Sequence, residues 1–136
     1  MEIKPIGFVH TEAISIPRHW SVSDVQGNLD ILPEYKAALK DISIGQHIVV
    51  LFLFHKSPEF TSDFLFQTPP HQKEKKGVFS ICSPVRPNPV GLSVVEVLDI
   101  NDGRITVKGI DMLNETPIID IKPFIRNKED CPSYKT

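Results

Sequence analysis

The stretch Ser83–Ser93 offers the residues of this chain best suited to chemistry, because it presents two polar side chains from a rigid loop. Its sequence is SPVRPNPVGLS, with prolines at 84, 87 and 89 and with Arg86 and Asn88 between them. Proline fixes φ and removes a backbone donor, so this stretch can be neither a helix nor a central strand. The residue before each proline is also restricted to extended geometry. We therefore expect a guanidinium and a carboxamide that are held in place before a ligand binds.

The motifs of several other enzyme classes are missing from the sequence. No two glycines are spaced as GxG, which excludes the dinucleotide and P-loop fingerprints. HExxH and paired CxxC spacings are missing too, and the histidines are scattered, so no metal site is predicted. The triplet Gly91–Ser93 begins like a nucleophile elbow but lacks its second glycine, so Ser93 is expected to start a strand. Cys82 and Cys131 are expected to be reduced thiols in or near packed structure.

Composition indicates one soluble domain. The 136 residues are 40% hydrophobic and 24% charged, enough for a single core. The longest apolar run, Ile48–Phe54, is too short to cross a bilayer. No secretory signal is visible at the N-terminus, so we expect a cytoplasmic protein. The net charge of −2 is mild evidence against a protein that holds RNA by itself.

Twelve prolines and seven glycines punctuate short apolar runs, a pattern typical of an all-β domain. We predict strands at 3–10, 27–32, 47–55, 77–81, 92–100, 104–108 and 117–121. The unbroken apolar run in 47–55 predicts a strand covered on both faces. A hairpin turn is predicted at Asn101–Gly103, and one short helix at Leu32–Leu39, with Pro33 in its first position. Residues 56–76 form a long loop. The pattern fits a barrel or a sandwich and does not separate them.

Two long blocks and three short ones carry a resemblance to a known family. The first long block joins Gly77–Phe79 to residues 83–95, including the proline loop. The second covers residues 109–124, where an Asp-led loop precedes Thr-Pro, a hydrophobic pair and Asp-Ile-Lys-Pro. The short blocks are Pro5–Val9, Leu32–Tyr35 and Leu53–His55. Together they resemble, in order and over nearly the whole chain, the TsaA-like family of TrmO-type tRNA methyltransferases.

The resemblance implies a short, single-domain member over residues 1–136, folded as a small closed β-barrel with one short helix and long loops. It implies S-adenosylmethionine as the cofactor and a homodimer. The missing metal motifs and the short apolar runs predict no metal or membrane partner. The implied reaction methylates N6 of threonylcarbamoyladenosine next to the anticodon of a threonine tRNA. Two alternatives stay open. One is an S-adenosylmethionine-binding module or small-molecule methyltransferase without tRNA activity, and the other is a dimerising β-barrel scaffold.

Residue by residue, the family motifs imply a set of cofactor contacts. These are Pro17, Arg18, His19, His55, Lys56, Cys82, Leu92, Asp111, Met112, Leu113 and Asn114. Three positions depart from the family pattern. Cys82 stands where the family usually has arginine, and His19 stands in place of glutamine. Glu115 replaces a turn glycine, so that turn must avoid a positive φ or adopt one at a cost.

Methyl transfer from a sulfonium is an in-line displacement, for which a protein supplies alignment and electrostatics. We expect Arg86, Asn88 and Lys122 to bind the substrate, the cations contacting phosphate or the acceptor's carboxylate. The candidates for a catalytic base are Asp111, Asp120 and His55, with no choice among them.

Structural roles for the same side chains remain open alternatives. His55 could cap a strand end, and Asp111 could serve an Asx-turn. Arg86 and Asn88 could hold the proline loop through backbone hydrogen bonds. Asp120 could pair with Lys122 or Arg126.

Overall fold

A computed structural model describes residues 1–133, and eight β-strands carry the fold. They are β1 (Gly7–His10), β2 (Gln26–Ile31), β3 (His47–Leu53), β4 (Phe66–Gln67), β5 (Lys76–Gly77), β6 (Val90–Asn101), β7 (Arg104–Lys108) and β8 (Pro117–Pro123). Six of them pair antiparallel in the order β1-β2-β7-β6-β3-β8, and β8 pairs with β1 to close the barrel. β4 and β5 form a separate two-stranded arm. The prediction of a mostly β domain is confirmed.

The barrel interior is filled by apolar side chains from alternate positions of the strands. Successive residues of a strand point to opposite faces, so one set faces inward. The fully buried members include Leu29, Ile48, Val50, Val95, Val97, Ile105, Val107 and Ile118. Burying each such side chain contributes about 1.5–3 kcal/mol relative to leaving it exposed. This core fixes the register of the strand ends that carry the site.

The hairpin between β6 and β7 confirms the predicted turn. Asp102 and Gly103 have φ of 47° and 85°, so both central residues are left-handed, as a tight two-residue hairpin loop requires. The backbone N–H of Ile31 also donates to the carbonyl of Gly103 at 2.8 Å, which ties the turn to β2.

Every helical segment within residues 1–133 is a short 3₁₀ helix. They lie at Trp20–Val22, Pro33–Leu39, Ser62–Phe64, Val78–Ser80 and Lys128–Asp130. The predicted helix is the second of these, and it begins at Pro33, where the missing N–H costs nothing.

Two predictions about strands are wrong. Residues 77–81 do not form one strand, because only Lys76 and Gly77 find partners on β4 before Val78–Ser80 turns into a 3₁₀ helix. β3 is not fully covered on both faces. Its residues alternate between buried and half-buried, because a closed barrel has a single inner face and the outer face of β3 is only partly covered.

Candidate functional site

A hollow of about 260 Å³ lies at the end of the barrel where β3 ends and β6 begins. We call it the Asp111 hollow. One side is the end of β3 and the turn after it, residues 52–58. The proline loop contributes Pro84, and the loop before β8 contributes Asp111–Leu113 and Thr116. Pro84 of the proline loop and Asp111 of the Asp-led loop, 27 residues apart in sequence, therefore line one hollow.

The floor of this hollow is an aromatic pair that depends on Gly91. Phe52 and Phe54 pack edge to face with ring centroids 5.1 Å apart. Gly91 lies opposite Phe52 in the β3–β6 pairing. A Cβ at position 91 would fall 2.6 Å from one ring carbon of Phe52 and 2.8 Å from the ring of Phe54. Glycine is needed at position 91 because the two rings occupy the space of a side chain.

Asp111 is the polar centre of the hollow. The hydroxyl of the fully buried Ser93 donates to its Oδ1. Burial raises the pKa of Asp111 above its ordinary value of 3.8. The hydrogen bond from Ser93, the charge of His19 and a backbone hydrogen bond from Trp20 partly offset this effect. The site thus holds a half-buried carboxylate whose negative charge is incompletely compensated by the protein.

The loop that carries Asp111 is fixed at both ends. The hydroxyl of Ser23 donates to the carbonyl of Ile110 at 2.5 Å. The hydroxyl of Thr116 donates to the carbonyl of Leu113 at 2.7 Å. Between them, Glu115 adopts φ of 68°, so the turn takes the left-handed conformation without glycine and accepts the strain. The loop holds Asp111 and Met112 against the barrel end.

A second hollow, of about 370 Å³, adjoins the first, and we call it the Arg86 hollow. Its other lining residues lie in 53–60 and at Pro87 and Pro89. Arg86 donates through Nη1 to the carbonyls of Ile81 and Ser83, at 3.0 and 3.2 Å. The amide of Gln67 donates to the carbonyl of Val85 at 2.8 Å. Arg86 therefore does brace the proline loop, and it also lines a cavity.

Six of the predicted cofactor contacts come together at the Asp111 hollow. His55, Lys56, Asp111, Met112 and Leu113 line it, and His19 lies close enough to act on the charge of Asp111. The other five, which line neither hollow, are Pro17, Arg18, Cys82, Leu92 and Asn114. Asn114 instead accepts a hydrogen bond from the backbone of Thr11 at 3.0 Å, and Cys82 is an exposed free thiol rather than a packed one.

The predicted substrate and base residues are divided between the two hollows and β8. Arg86 and His55 line the Arg86 hollow, and His55 lines both hollows. Asn88 lines neither. On β8, Lys122 pairs with Asp120 at 3.0 Å, one of the two structural pairings considered for this aspartate.

Sequence reasoning missed Ser93, Trp20 and the aromatic floor. Ser93 looked like a strand residue, and it is one, but its hydroxyl serves Asp111. Gly91, two residues before Ser93, was the one signal in the sequence that large side chains such as Phe52 and Phe54 could approach the backbone closely. Within residues 1–133 no three His, Cys, Asp or Glu side chains cluster as a metal site, and no helix there is long and apolar enough to cross a membrane.

Comparison with known proteins assigns this arrangement to a family. Residues 6–130 match the family model of the N-terminal domain of tRNA-methyltransferase O. The chain belongs to this family, and the resemblance inferred from its motifs is confirmed.

Individual relatives agree with this assignment. An S-adenosyl-L-methionine-binding protein of Archaeoglobus fulgidus is 39% identical over 127 residues, covering 91% of this chain and 89% of the relative. The mouse tRNA (adenine(37)-N6)-methyltransferase is 32% identical over 132 residues, covering 90% of this chain and 30% of the relative. The crystal structure of TrmO from Pseudomonas aeruginosa superposes with a TM-score of 0.74 at 28% identity, covering 99% of this chain and 60% of that one. The chain therefore spans only part of the length of the methyltransferases it matches.

Proposed function

We propose that this protein is an S-adenosylmethionine-dependent methyltransferase that methylates N6 of threonylcarbamoyladenosine beside the anticodon of a tRNA. The observation that carries the proposal is the Asp111 hollow, where an incompletely compensated carboxylate meets an apolar wall. Membership in the tRNA-methyltransferase O family and the names of the relatives support the reaction class.

The residues of the Asp111 hollow fit a cofactor that is cationic at one end and aromatic at the other. Asp111 is half-buried with a raised pKa, so a cation beside it would recover energy that burial costs the carboxylate. Met112, Leu113 and the Phe52–Phe54 floor offer the apolar surface that ligand pockets use for a flat base. S-adenosylmethionine supplies an electrophilic methyl group on a sulfonium when bound.

His55 is the base we assign, because among the three candidates it alone borders both hollows. Asp111 would be engaged by the cofactor, and Asp120 pairs with Lys122. As the bond from N6 to the methyl carbon forms and the carbon–sulfur bond breaks, N6 must lose its proton. An exposed imidazole can accept that proton and release it to solvent, leaving methylated N6 and S-adenosylhomocysteine.

A homodimer and a cytoplasmic location remain part of the proposal. Several large apolar side chains are exposed, including Phe66 at 63% and Phe79 at 82%. Exposed apolar groups of this kind are a feature of protein interfaces. Sedimentation of the wild type as a dimer and of Phe79→Ser as a monomer would support the dimer, and a monomeric wild type would reject it.

A second candidate function is an S-adenosylmethionine-binding module or small-molecule methyltransferase without tRNA activity. The net charge of −2 favours it, since RNA binding draws on positive surface charge. Nucleoside mass spectrometry on tRNA from a deletion strain separates the two functions. Loss of methylated threonylcarbamoyladenosine supports the methyltransferase, and an unchanged level refutes the tRNA substrate. Absence of S-adenosylmethionine binding at millimolar concentration would refute both functions.

A further inference from the structure

We propose that the Arg86 hollow is the acceptor subsite and that Arg86 recognises the threonyl carboxylate of the acceptor. The inference rests on the proposed function and adds the chemical group by which the modified adenosine is selected. The two hollows share residues 53–55, Ser57 and Pro58, so their occupants would lie side by side across one wall. A methyl donor in one and a methyl acceptor in the other is the arrangement that direct transfer needs.

The guanidinium of Arg86 is bonded to the protein through one nitrogen, and its other two nitrogens are available to a ligand. Its Nη1 donates to the carbonyls of Ile81 and Ser83. Within residues 1–133, its Nε and Nη2 make no hydrogen bond and no ion pair with the protein. Prolines 84, 87 and 89 restrict the backbone on both sides. The free N–H groups are thus fixed before a ligand arrives, which lowers the entropy lost on binding.

This geometry suits a single carboxylate better than a run of phosphates. A guanidinium fork binds a planar carboxylate through two parallel hydrogen bonds. Arg86 is half-buried inside a hollow, whereas proteins that track a phosphate backbone use several exposed cations along a groove. The unmethylated acceptor carries one carboxylate, on its threonyl group, and ordinary adenosine carries none.

The remaining lining residues complement the rest of the acceptor. Phe54 and Phe60 give the Arg86 hollow aromatic surface on which a base can stack. Ser57 and Glu59 also line it and can bond the hydroxyl and N–H groups of the threonylcarbamoyl chain. The negative charge of Glu59 disfavours any anion that Arg86 does not hold, which strengthens the selection. His55, in the shared wall, faces the place where the two occupants meet.

The test compares two acceptors that differ only in the terminal carboxyl group of the threonyl chain. Anticodon stem-loops carry either threonylcarbamoyladenosine or the same nucleoside with a threoninamide in place of the carboxylate. Methylation is measured as kcat/KM for the wild type, Arg86→Gln and the control Arg104→Gln, whose arginine pairs with Asp30 on β2. S-adenosylmethionine affinity and melting temperature are measured for each. We expect the wild type and Arg104→Gln to prefer the acid by about 10- to 100-fold, the range of a charge-assisted contact. Arg86→Gln should reduce that ratio to near one without changing S-adenosylmethionine affinity.

The other outcomes are equally informative. A wild type that methylates the acid and the amide equally well refutes the carboxylate inference and leaves the proposed function intact. An Arg86→Gln enzyme that is slower on both acceptors but keeps the ratio also refutes it, because Arg86 would then brace the loop or bind phosphate. If Arg86→Gln does not fold, Arg86→Lys is used, and an unchanged acid preference in that variant refutes the bidentate contact. A wild type that binds S-adenosylmethionine but methylates neither acceptor refutes the proposed function and this inference with it.

Discussion

Replacing Asp111 by Asn should weaken S-adenosylmethionine binding far more than it changes folding. The asparagine keeps a side-chain oxygen that accepts from the hydroxyl of Ser93, so the loop retains its internal contact. What is lost is the negative charge beside the cationic end of the proposed cofactor. Hydrogen bonds and contacts to a charged group are worth about 1.5–3 kcal/mol, so the dissociation constant should rise by about 10- to 100-fold. The apoprotein should be no less stable, because the variant no longer buries a charge.

The raised pKa of Asp111 also predicts how the stability of the apoprotein and its affinity for the cofactor change with pH. Burial raises the pKa of Asp111 in the folded protein above its value in the unfolded chain. In the interval between those two values the folded state binds more protons, so the stability of the apoprotein falls as pH rises and is recovered at lower pH. A cationic ligand favours the carboxylate, so its affinity should fall, by up to tenfold per pH unit, as pH drops below the raised pKa.

Thermal melts of the apoprotein across this pH range test the statement on stability, and calorimetric titration with S-adenosylmethionine tests the statement on affinity. Asp99→Asn on β6 is the exposed control. The wild type and the control should lose affinity on acidification, and Asp111→Asn should bind weakly with a flat profile. Equal affinities for wild type and Asp111→Asn at neutral pH would refute the reasoning, since the charge would then contribute nothing.

Three further substitutions test the floor, the strained turn and the base. Gly91→Ala should lower the free energy of unfolding by about 1–3 kcal/mol through overpacking. The control Gly77→Ala should leave the thermal melt unchanged, because a Cβ there meets no atom within 4 Å. Equal melting temperatures for the two variants would contradict this prediction. Glu115→Gly should raise stability in denaturant titrations by about 1 kcal/mol, because glycine relieves the positive φ, and a loss of stability would count against strain at that turn. His55→Ala should reduce kcat about 10²- to 10⁴-fold with little change in S-adenosylmethionine affinity, whereas His10→Ala should be inert; a fully active His55→Ala enzyme would remove the assigned base.

The parts of the fold that depend on local geometry could be predicted from the sequence. The turn at Asn101–Gly103 follows from the need for two left-handed residues, and Pro33 marks the start of its helix because its missing N–H is harmless there. Short apolar runs between proline and glycine residues located the strands of the barrel. Residues 77–81 look like a strand by composition, but strand formation requires a partner, and no local pattern reveals which partner is available.

The site was predictable only where motif residues line the hollow themselves. The proline loop and Asp111 carry distinctive residue types, and they do meet. The contact between Ser93 and Asp111 joins residues 18 apart and depends on barrel register, which the sequence does not state. The approach of His19 to Asp111 likewise depends on the folded barrel and cannot be read from the sequence. Asn114 was predicted to contact the cofactor because it lies in the motif, but its side chain accepts a hydrogen bond from the backbone of Thr11 instead.

The most direct test of the whole account is a crystal structure of the protein with S-adenosylhomocysteine. We expect the ligand in the Asp111 hollow, with its α-ammonium group at the Asp111 carboxylate and its sulfur facing the wall near His55. Apolar contacts to Met112 and Leu113 should cover the adenine. A ligand bound elsewhere, with the Asp111 hollow filled only by solvent, would contradict the assignment of this site.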